Sequence, residues 1–390
     1  MSALGIRQLR LSQFRNYTSL SLDLPSVGEA FAVVLTGDNG AGKTNLLEAV
    51  SLLVPGRGLR GAKITDMPHI NRAVDQDWGV ASQVDGRQGP IRLGTGQDAV
   101  MAADPKATRR QVRIDGELAG AQTALADHMQ MAWLTPAMDG LFREGSSERR
   151  RFVDRLAFAF DPSHAGRVTR YERLLRERAK LLKDAREAGR TPDASWLDSL
   201  EAGLTETAVA IAAGRLTLIE RLNRVAATDL EPFPAADLAL EGQPESWLAE
   251  GASSGAVEDR LRQAYAAGRA QDAQAGGASV GPHRTDLLAR HRAKDMPAHL
   301  CSTGEQKALL IAITLAHGRL VTAETGQAPI LLLDEVAAHL DEARRSALFT
   351  RLATHRAQVW MTGTDANIFN ELGASATRIT ITGGNAQKDA

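Results

Sequence analysis

Eight consecutive residues, Gly37-Asp38-Asn39-Gly40-Ala41-Gly42-Lys43-Thr44, carry the most explicit chemistry in the chain. They fit the pattern G-x-x-x-x-G-K-[ST], which wraps backbone amides around phosphate oxygens. Glycines let the backbone approach closely, and the following helix N-terminus adds its positive end. Lys43 then reaches the β- and γ-phosphates of ATP, and the Thr44 hydroxyl binds Mg²⁺. An acidic pair, Asp334-Glu335, closes the apolar run Ile330-Leu331-Leu332-Leu333 near the other end of the chain. Asp334 is placed to hold Mg²⁺, and Glu335 to orient or deprotonate an attacking water. On its own an acidic pair at a strand end is an ordinary loop start; together with the phosphate loop it reads as a hydrolytic site.

The elements that must position these groups are legible around them. Phe31-Ala32-Val33-Val34-Leu35 is a continuous apolar run, as in a strand buried on both faces. After the glycine loop, Leu46, Leu47, Val50, Leu53 and Val54 recur at helical spacing until Pro55-Gly56. Ile6–Leu11 and Ser19–Leu24 alternate apolar and polar residues, as half-buried strands do. Trp78–Val84, Ile91–Thr95 and Arg110–Ile114 predict a small antiparallel sheet, with Asp115-Gly116 as a hairpin turn. From about Ser147 to Ala275, Leu174, Leu175, Leu181, Leu182, Leu200, Leu204, Ala208 and Ile211 fall at three- and four-residue steps, which predicts a helical lobe. Thr191-Pro192-Asp193 and Glu231-Pro232-Phe233-Pro234 interrupt it too often for a long coiled coil. Ala270–Ser279 reads as a loop back to the core. Ala308–Leu320 predicts an apolar helix, and Val359–Thr362 and Arg378–Ile381 further strands. The expected organisation is 1–135, half of the nucleotide core with its β region; 136–275, the helical lobe; and 276–390, the other half.

Composition narrows the class. Hydrophobic residues make up 43% and charged residues 24% of 390, the profile of a globular protein. No apolar run approaches the ~20 residues of a membrane span, and the N-terminus lacks the charged head and apolar core of a signal peptide. A lone cysteine, Cys301, excludes an internal disulfide framework and fits a reducing cytoplasm. The net charge of −1 excludes a polycation but permits a local basic face.

Cys301-Ser302-Thr303-Gly304-Glu305-Gln306-Lys307 precedes the apolar helix. It resembles the signature motif of ABC-type ATPases, with Ser302 and Gly304 at the positions that meet a γ-phosphate. The plainer reading is a helix cap, Ser302 or Thr303 followed by Glu305 or Gln306. In ABC-type heads the motif serves the nucleotide of the opposite subunit, so two heads enclose two ATP molecules. Ala338-His339-Leu340-Asp341 resembles the loop along that seam. The strand after the acid pair ends in Thr362-Gly363-Thr364-Asp365, without the histidine this class often has; γ-phosphate sensing falls to Thr362 or Thr364. His339 and His355 read as surface or capping residues. Gln130 is the nearest candidate for a glutamine that completes the metal site at the lobe junction.

Four passages together resemble the RecF family of bacterial recombination mediators. They are Leu9-Arg10-Leu11-Ser12-Gln13-Phe14-Arg15-Asn16-Tyr17; Leu134-Thr135-Pro136 with Glu148-Arg149-Arg150-Arg151-Phe152-Val153-Asp154; Gly281-Pro282-His283-Arg284-Thr285-Asp286; and the signature with the acid pair. Ala137 and Thr285 stand where the family usually or often has an acid. The resemblance implies an α/β fold: an ABC/SMC-like P-loop ATPase head split in sequence, with an attached antiparallel β region and an inserted helical lobe. It also implies that Arg15, Asn16, Asn45, Ser302, Gly304 and Gln306 join the phosphate loop in binding nucleotide. It implies an ATP-dependent homodimer on gapped or junction DNA, slow hydrolysis that releases it, and cooperation with RecR and RecO to load RecA, with a link to replication restart and SOS induction. For DNA the basic candidates are Arg57, Arg60, Arg149, Arg150 and Arg151, with Arg167, Arg170, Arg173, Arg176, Arg178, Lys180, Lys183 and Arg186 beyond. Acidic residues interleave with the last group, as on a solvated helix face. Two rival readings are a transporter-type ATP-binding subunit, against which the long gap between Lys43 and Ser302 counts, and a non-hydrolysing nucleotide-dependent scaffold, against which Glu335 counts.

Overall fold

The computed structural model describes residues 3–71, 76, 78–86, 89–97, 110–226, 231–354 and 357–389. The chain forms two compact units. One comprises Met1–Asp139, Leu230–Phe233 and Leu310–Ala390; the other Gly140–Asp229 and Pro234–Leu309.

The first unit holds two sheets. Strands β1 (Gly5–Phe14), β2 (Tyr17–Asp23), β4 (Trp78–Gly86), β5 (Gly89–Gln97), β6 (Gln111–Ile114) and β7 (Glu117–Leu118) form an antiparallel sheet in the order β2-β1-β4-β5-β6-β7. Asp115 and Gly116 both take positive φ between β6 and β7, the two-residue turn expected of Asp-Gly. The other sheet runs β15-β14-β3-β13-β12-β8, from β3 (Ala32–Thr36), β8 (Met131–Leu134), β12 (Ile330–Leu333), β13 (Val359–Gly363), β14 (Ala376–Thr382) and β15 (Asn385–Lys388). β14, β3, β13, β12 and β8 pair in parallel. β3, β8, β12 and β13 are buried at every residue, which accounts for their unbroken apolar runs. Helix α1 (Lys43–Ser51) shares one core with both sheets: Leu46, Leu47 and Val50 cluster with Leu9, Phe14, Trp78, Leu332 and Trp360. Each such leucine contributes about 1.5–3 kcal/mol by leaving water.

The second unit contains α2 (Ser146–Ala157), α3 (Ser163–Glu187), α4 (Ala194–Ala226), α5 (Gln243–Ala249) and α6 (Ser254–Ala275). Leu200, Leu204, Ala208 and Ile211 of α4 meet Tyr171 and Leu174 of α3 and Val257, Leu261 and Tyr265 of α6. The unit also holds a three-stranded sheet, β11-β10-β9, from β9 (Ala236–Glu241), β10 (Asp286–His291) and β11 (Met296–Pro297). This sheet corrects the expected boundary after Ala275. β10 pairs with β9 along its whole length, so the chain stays in the helical unit to Leu309. Ala270–Ala275, read as loop, is the last part of α6. Helix α7 (Thr303–Thr325) begins in this unit and ends in the first; α8 (Glu342–Thr354) lies in the first. α4 and α7 are long and apolar enough to cross a membrane, but 56% and 72% of their most apolar windows are buried in the protein. They are core helices.

Candidate nucleotide-binding site

In a parallel sheet, functional loops gather at the carboxyl ends of the strands. Here β3 leads into the glycine loop, β12 into Asp334-Glu335 and β13 into Thr364, side by side in the first unit. The register pairs Leu333 with Met361 and Leu134. It therefore sets Asp334 level with Thr362, whose Oγ1 donates to Asp334 Oδ1 at 2.7 Å and accepts the Glu335 amide at 2.8 Å. Thr44 Oγ1 lies 3.0 and 3.1 Å from the two Asp334 oxygens. The structure thus brings Lys43, Thr44, Asp334 and Glu335 together across 290 residues of sequence.

The loop has the strained backbone that phosphate binding needs. Gly42 sits at φ 119°, and a Cβ there would stand 2.4 Å from Asn16 Nδ2. The N-terminus of α1 has no side-chain cap, so its amides remain open to an anion. Lys43 is buried; its ammonium donates to the carbonyls of Gly37 (2.6 Å) and Asp38 (2.9 Å) and meets no carboxylate among the described residues. A buried cation without counter-charge fits phosphate oxygens. Asp334 has the complementary need. Burial pushes its carboxyl pKa up; hydrogen bonds from Thr362 and Thr44 oppose this, and the charge of Glu335 adds to it. The residues present therefore fit a nucleotide with a divalent cation.

Asp334 has a folded-state pKa above its ordinary 3.8, so its contribution to stability is present below 3.8 and lost as pH rises through the raised value. Asp334→Asn is expected to raise the melting temperature of the nucleotide-free protein while removing Mg²⁺-dependent turnover. Thermal melts with and without Mg²⁺ check this, and a lowered melting temperature contradicts it.

Glu335 takes φ 53°, an uncommon conformation for a residue with a side chain. Its carboxylate has no hydrogen bond or ion pair among the described residues, which leaves it available as a base. Thr362, with both hydroxyl roles spent on Glu335 and Asp334, orders the acid pair; Thr364 is exposed. The side chain of His339 and the whole of His355 lie outside the described residues.

Several expected ligands make supporting contacts within the fold. Arg15 and Asn16 form the tip of the β1–β2 hairpin. Arg15 holds the buried Glu48 of α1 through both terminal oxygens, at 2.7 and 2.8 Å, and donates to the Asp66 carbonyl. Asn16 donates to the Ala41 carbonyl and accepts from Asn45, whose own oxygen accepts from Arg60. Tyr17 Oη donates to the Gly42 carbonyl at 3.0 Å. The Arg-Asn-Tyr run is thus a clamp on the glycine loop and its helix. Arg110, which sequence reasoning passed over, holds the other end of that helix through the carbonyls of Leu52 and Val54. Arg15→Ala strands the Glu48 charge beside Arg60 alone; it is expected to cost about 2 kcal/mol and to weaken nucleotide binding, as read by melting and by titration with a labelled nucleotide.

Gln130 is misplaced as a metal ligand. It precedes Met131, which pairs with Ile330 at the amino end of β12, whereas Asp334 follows the carboxyl end. At ~3.3 Å per residue the strand separates them by more than 10 Å.

In the second unit the signature passage forms the helix cap that sequence alone also allowed. Glu305 Oε2 accepts the Ser302 amide at 2.9 Å and the Ser302 hydroxyl at 3.0 Å. Ion pairing with Lys294 chiefly, then the Ser302 bonds, lowers Glu305 to about 2. Ser302, Thr303 and Gly304 are exposed at the start of α7. Gln306 is buried and spends its amide nitrogen on the Cys301 carbonyl at 2.7 Å, so it supports the loop rather than facing solvent.

The proposed DNA cations also divide. Arg57 is exposed with no ion pair among the described residues; Arg60 joins Glu48. Arg149 is locked by Asp286 at 2.6 and 2.8 Å, Arg150 by Ser146 and the Thr285 carbonyl, and the exposed Arg151 by Glu148. Arg178 is buried against Glu201 and Asp272. Arg167, Arg170, Arg173, Arg176 and Lys183 each face an acid, which is the solvated-face pattern; Lys180 and Arg186 are exposed.

The chain matches the RecF/RecN/SMC N-terminal domain over residues 5–387. It is 47% identical over 383 residues to the DNA replication and repair protein RecF of Allorhizobium ampelinum, covering 97% of each chain. To that of Rhizobium rhizogenes it is 46% identical over 385 residues, covering 98% of each. Among solved structures, the recombination mediator RecF-ATPrS of the RecFOR pathway superposes with a TM-score of 0.85 at 21% identity, covering 100% and 99% of the two chains. An Smc head domain with an extended coiled coil reaches 0.52 at 17% identity, covering 99% and 96%. These likenesses support the head fold, and the transporter reading gives way to the sequence match. The chain belongs to the RecF family of ABC/SMC-like ATPase heads.

Proposed function

We propose that this protein is an ATP-dependent DNA clamp of recombinational repair. Two copies close on gapped or single-strand/double-strand junction DNA with ATP bound, and slow hydrolysis releases them. The observation that carries the reading is the pairing of an uncompensated Lys43 ammonium with the Thr44–Asp334 contact and the free Glu335 carboxylate.

Lys43 and the open amides of α1 bind the phosphates; Thr44 with Asp334 would hold Mg²⁺, which would supply charge neutralisation there. Glu335 takes the proton of the attacking water. Thr362 holds the Asp334 carboxylate and the Glu335 backbone amide in place. Ser302 and Gly304, exposed at the start of α7, serve the nucleotide of the second copy. Each copy is then half of two sites, and closure depends on ATP.

Family membership supports a place beside RecO and RecR in loading RecA, with roles in replication restart and SOS induction, in the cytoplasm. Arg57, exposed and without an ion pair among the described residues, is a basic candidate for duplex backbone. The test is gel filtration and DNA-binding titration with ATP, ADP and no nucleotide. ATP is expected to shift the protein to a dimer and tighten its hold on gapped duplex; equal affinity in all three states sinks the reading.

A further inference from the structure

The antiparallel sheet has a second face that the nucleotide site does not use. Its inward residues, among them Leu9, Leu11, Val80 and Leu93, belong to the core. Its outward residues line an open trough of about 570 Å³. The register sets Ser21, Arg10, Ala81, Gly94 and Arg113 in one row across β2, β1, β4, β5 and β6. The next row begins Ser19, Ser12, Gly79 and Gly96. Small residues therefore floor the middle and hydroxyls line one side; Arg113 ends the first row, and Arg10 stands one strand in from its other end, beside Ser21.

The charge of this trough is one-sided. Arg10 and Arg113 are exposed, and neither makes an ion pair among the described residues; Arg113 has only the Gly116 carbonyl at 3.2 Å. Among the described residues no carboxylate lines the trough. Nearby arginines that fall outside it are paired: Arg7 with Asp85 and Arg92 with Asp115. Two guanidiniums without a carboxylate partner among the described residues, beside a glycine floor, suit an anionic occupant that lies close to the backbone.

Size and spacing select the kind of occupant. Arg10 and Arg113 stand three strand spacings apart, about 14 Å at ~4.8 Å per strand. An extended peptide rises ~3.3 Å per residue, so acidic side chains at positions one and five lie on one side and span that distance. The volume suits a few extended residues and is too small for a duplex. Single-stranded nucleic acid binds through several phosphate contacts and aromatic stacking platforms. Among its described lining residues this trough offers two cations and one aromatic, Trp78, which is buried.

We propose that the outer face of this sheet is a docking site for an extended acidic peptide segment of a partner protein, gripped at its two ends by Arg10 and Arg113. β1 leads into the Arg15-Asn16-Tyr17 clamp, so the occupant lies on the hairpin whose tip supports the glycine loop.

The probes are a fluorescein-labelled peptide Glu-Ala-Ser-Ala-Glu, its counterpart with lysines at both ends, and a short oligothymidylate, each titrated against the full chain by anisotropy. A Cβ at Gly94 meets only ordinary neighbours, Arg113 Cβ at 3.8 Å and the Val80 carbonyl at 3.9 Å, so Gly94→Leu fills the trough without disturbing the sheet. Saturable binding of the acidic peptide is expected, with about tenfold or greater loss in Arg10→Glu, Arg113→Glu and Gly94→Leu, unchanged ATP affinity and unchanged melting. Absence of saturable binding overturns the proposal, as does binding that survives Gly94→Leu. Tighter binding of oligothymidylate that Gly94→Leu abolishes assigns the trough to nucleic acid instead.

Discussion

Glu335→Gln is expected to slow ATP turnover about 10²–10⁴-fold while leaving ATP affinity intact. The substitution is nearly isosteric and removes only the basic carboxylate. The backbone at this position stays anchored, because the Glu335 amide is held by Thr362 rather than by its own side chain. Lys43, Thr44 and Asp334 are untouched, so the nucleotide still binds and the closed dimer accumulates. Single-turnover kinetics with labelled ATP, followed by sizing of the ATP-bound species, reads both effects. Unchanged turnover would mean that another group activates the water. The non-hydrolysing scaffold reading predicts no turnover in the parent protein either.

Arg178→Ala is expected to destabilise the helical unit by about 3–5 kcal/mol. Arg178 is 1% exposed and binds Glu201 Oε1 at 2.9 Å, Asp272 Oδ2 at 2.8 Å and the Tyr265 carbonyl at 2.8 Å, with its guanidinium over the Tyr265 ring. Glu201 keeps Arg269 after the change, but Asp272 is left with the Ser279 amide alone. The cost is that of a buried carboxylate stripped of its cation. Urea unfolding followed at tryptophan reads it, and a loss under about 1 kcal/mol contradicts the assignment. The same variant tests the basic-run reading of α3, since a DNA contact at this position is incompatible with its burial.

The sequence was most readable where one local rule decides the outcome. The glycine loop between an apolar run and a helical repeat could take only one form, and the acid pair at the end of Ile330–Leu333 followed the same logic. It was least readable where distant segments decide. β9 and β10 bind each other across α5 and α6, and neither is apolar enough to announce a sheet; this pairing moved the unit boundary from Ala275 to Leu309. Gln130 is close to Thr135 in sequence, yet strand direction carries it to the far end of the sheet. Arg15, Asn16 and Asn45 lie near the loop as expected, but their hydrogen-bonding capacity is spent on Glu48, Ala41 and one another. Residue type told which groups could touch a nucleotide; only the partners show which of them also brace the loop.

The central claim is that each chain supplies half of a shared site, with Lys43 serving its own nucleotide and Ser302 that of its partner. Lys43→Ala and Ser302→Arg, assayed singly, are each expected to lack DNA-stimulated ATP turnover. An equimolar mixture is expected to recover roughly a quarter of the parent rate, because half of the randomly formed dimers contain one intact site. A mixture as inactive as its components would contradict the shared site, and so would a Ser302→Arg protein that hydrolyses ATP normally by itself.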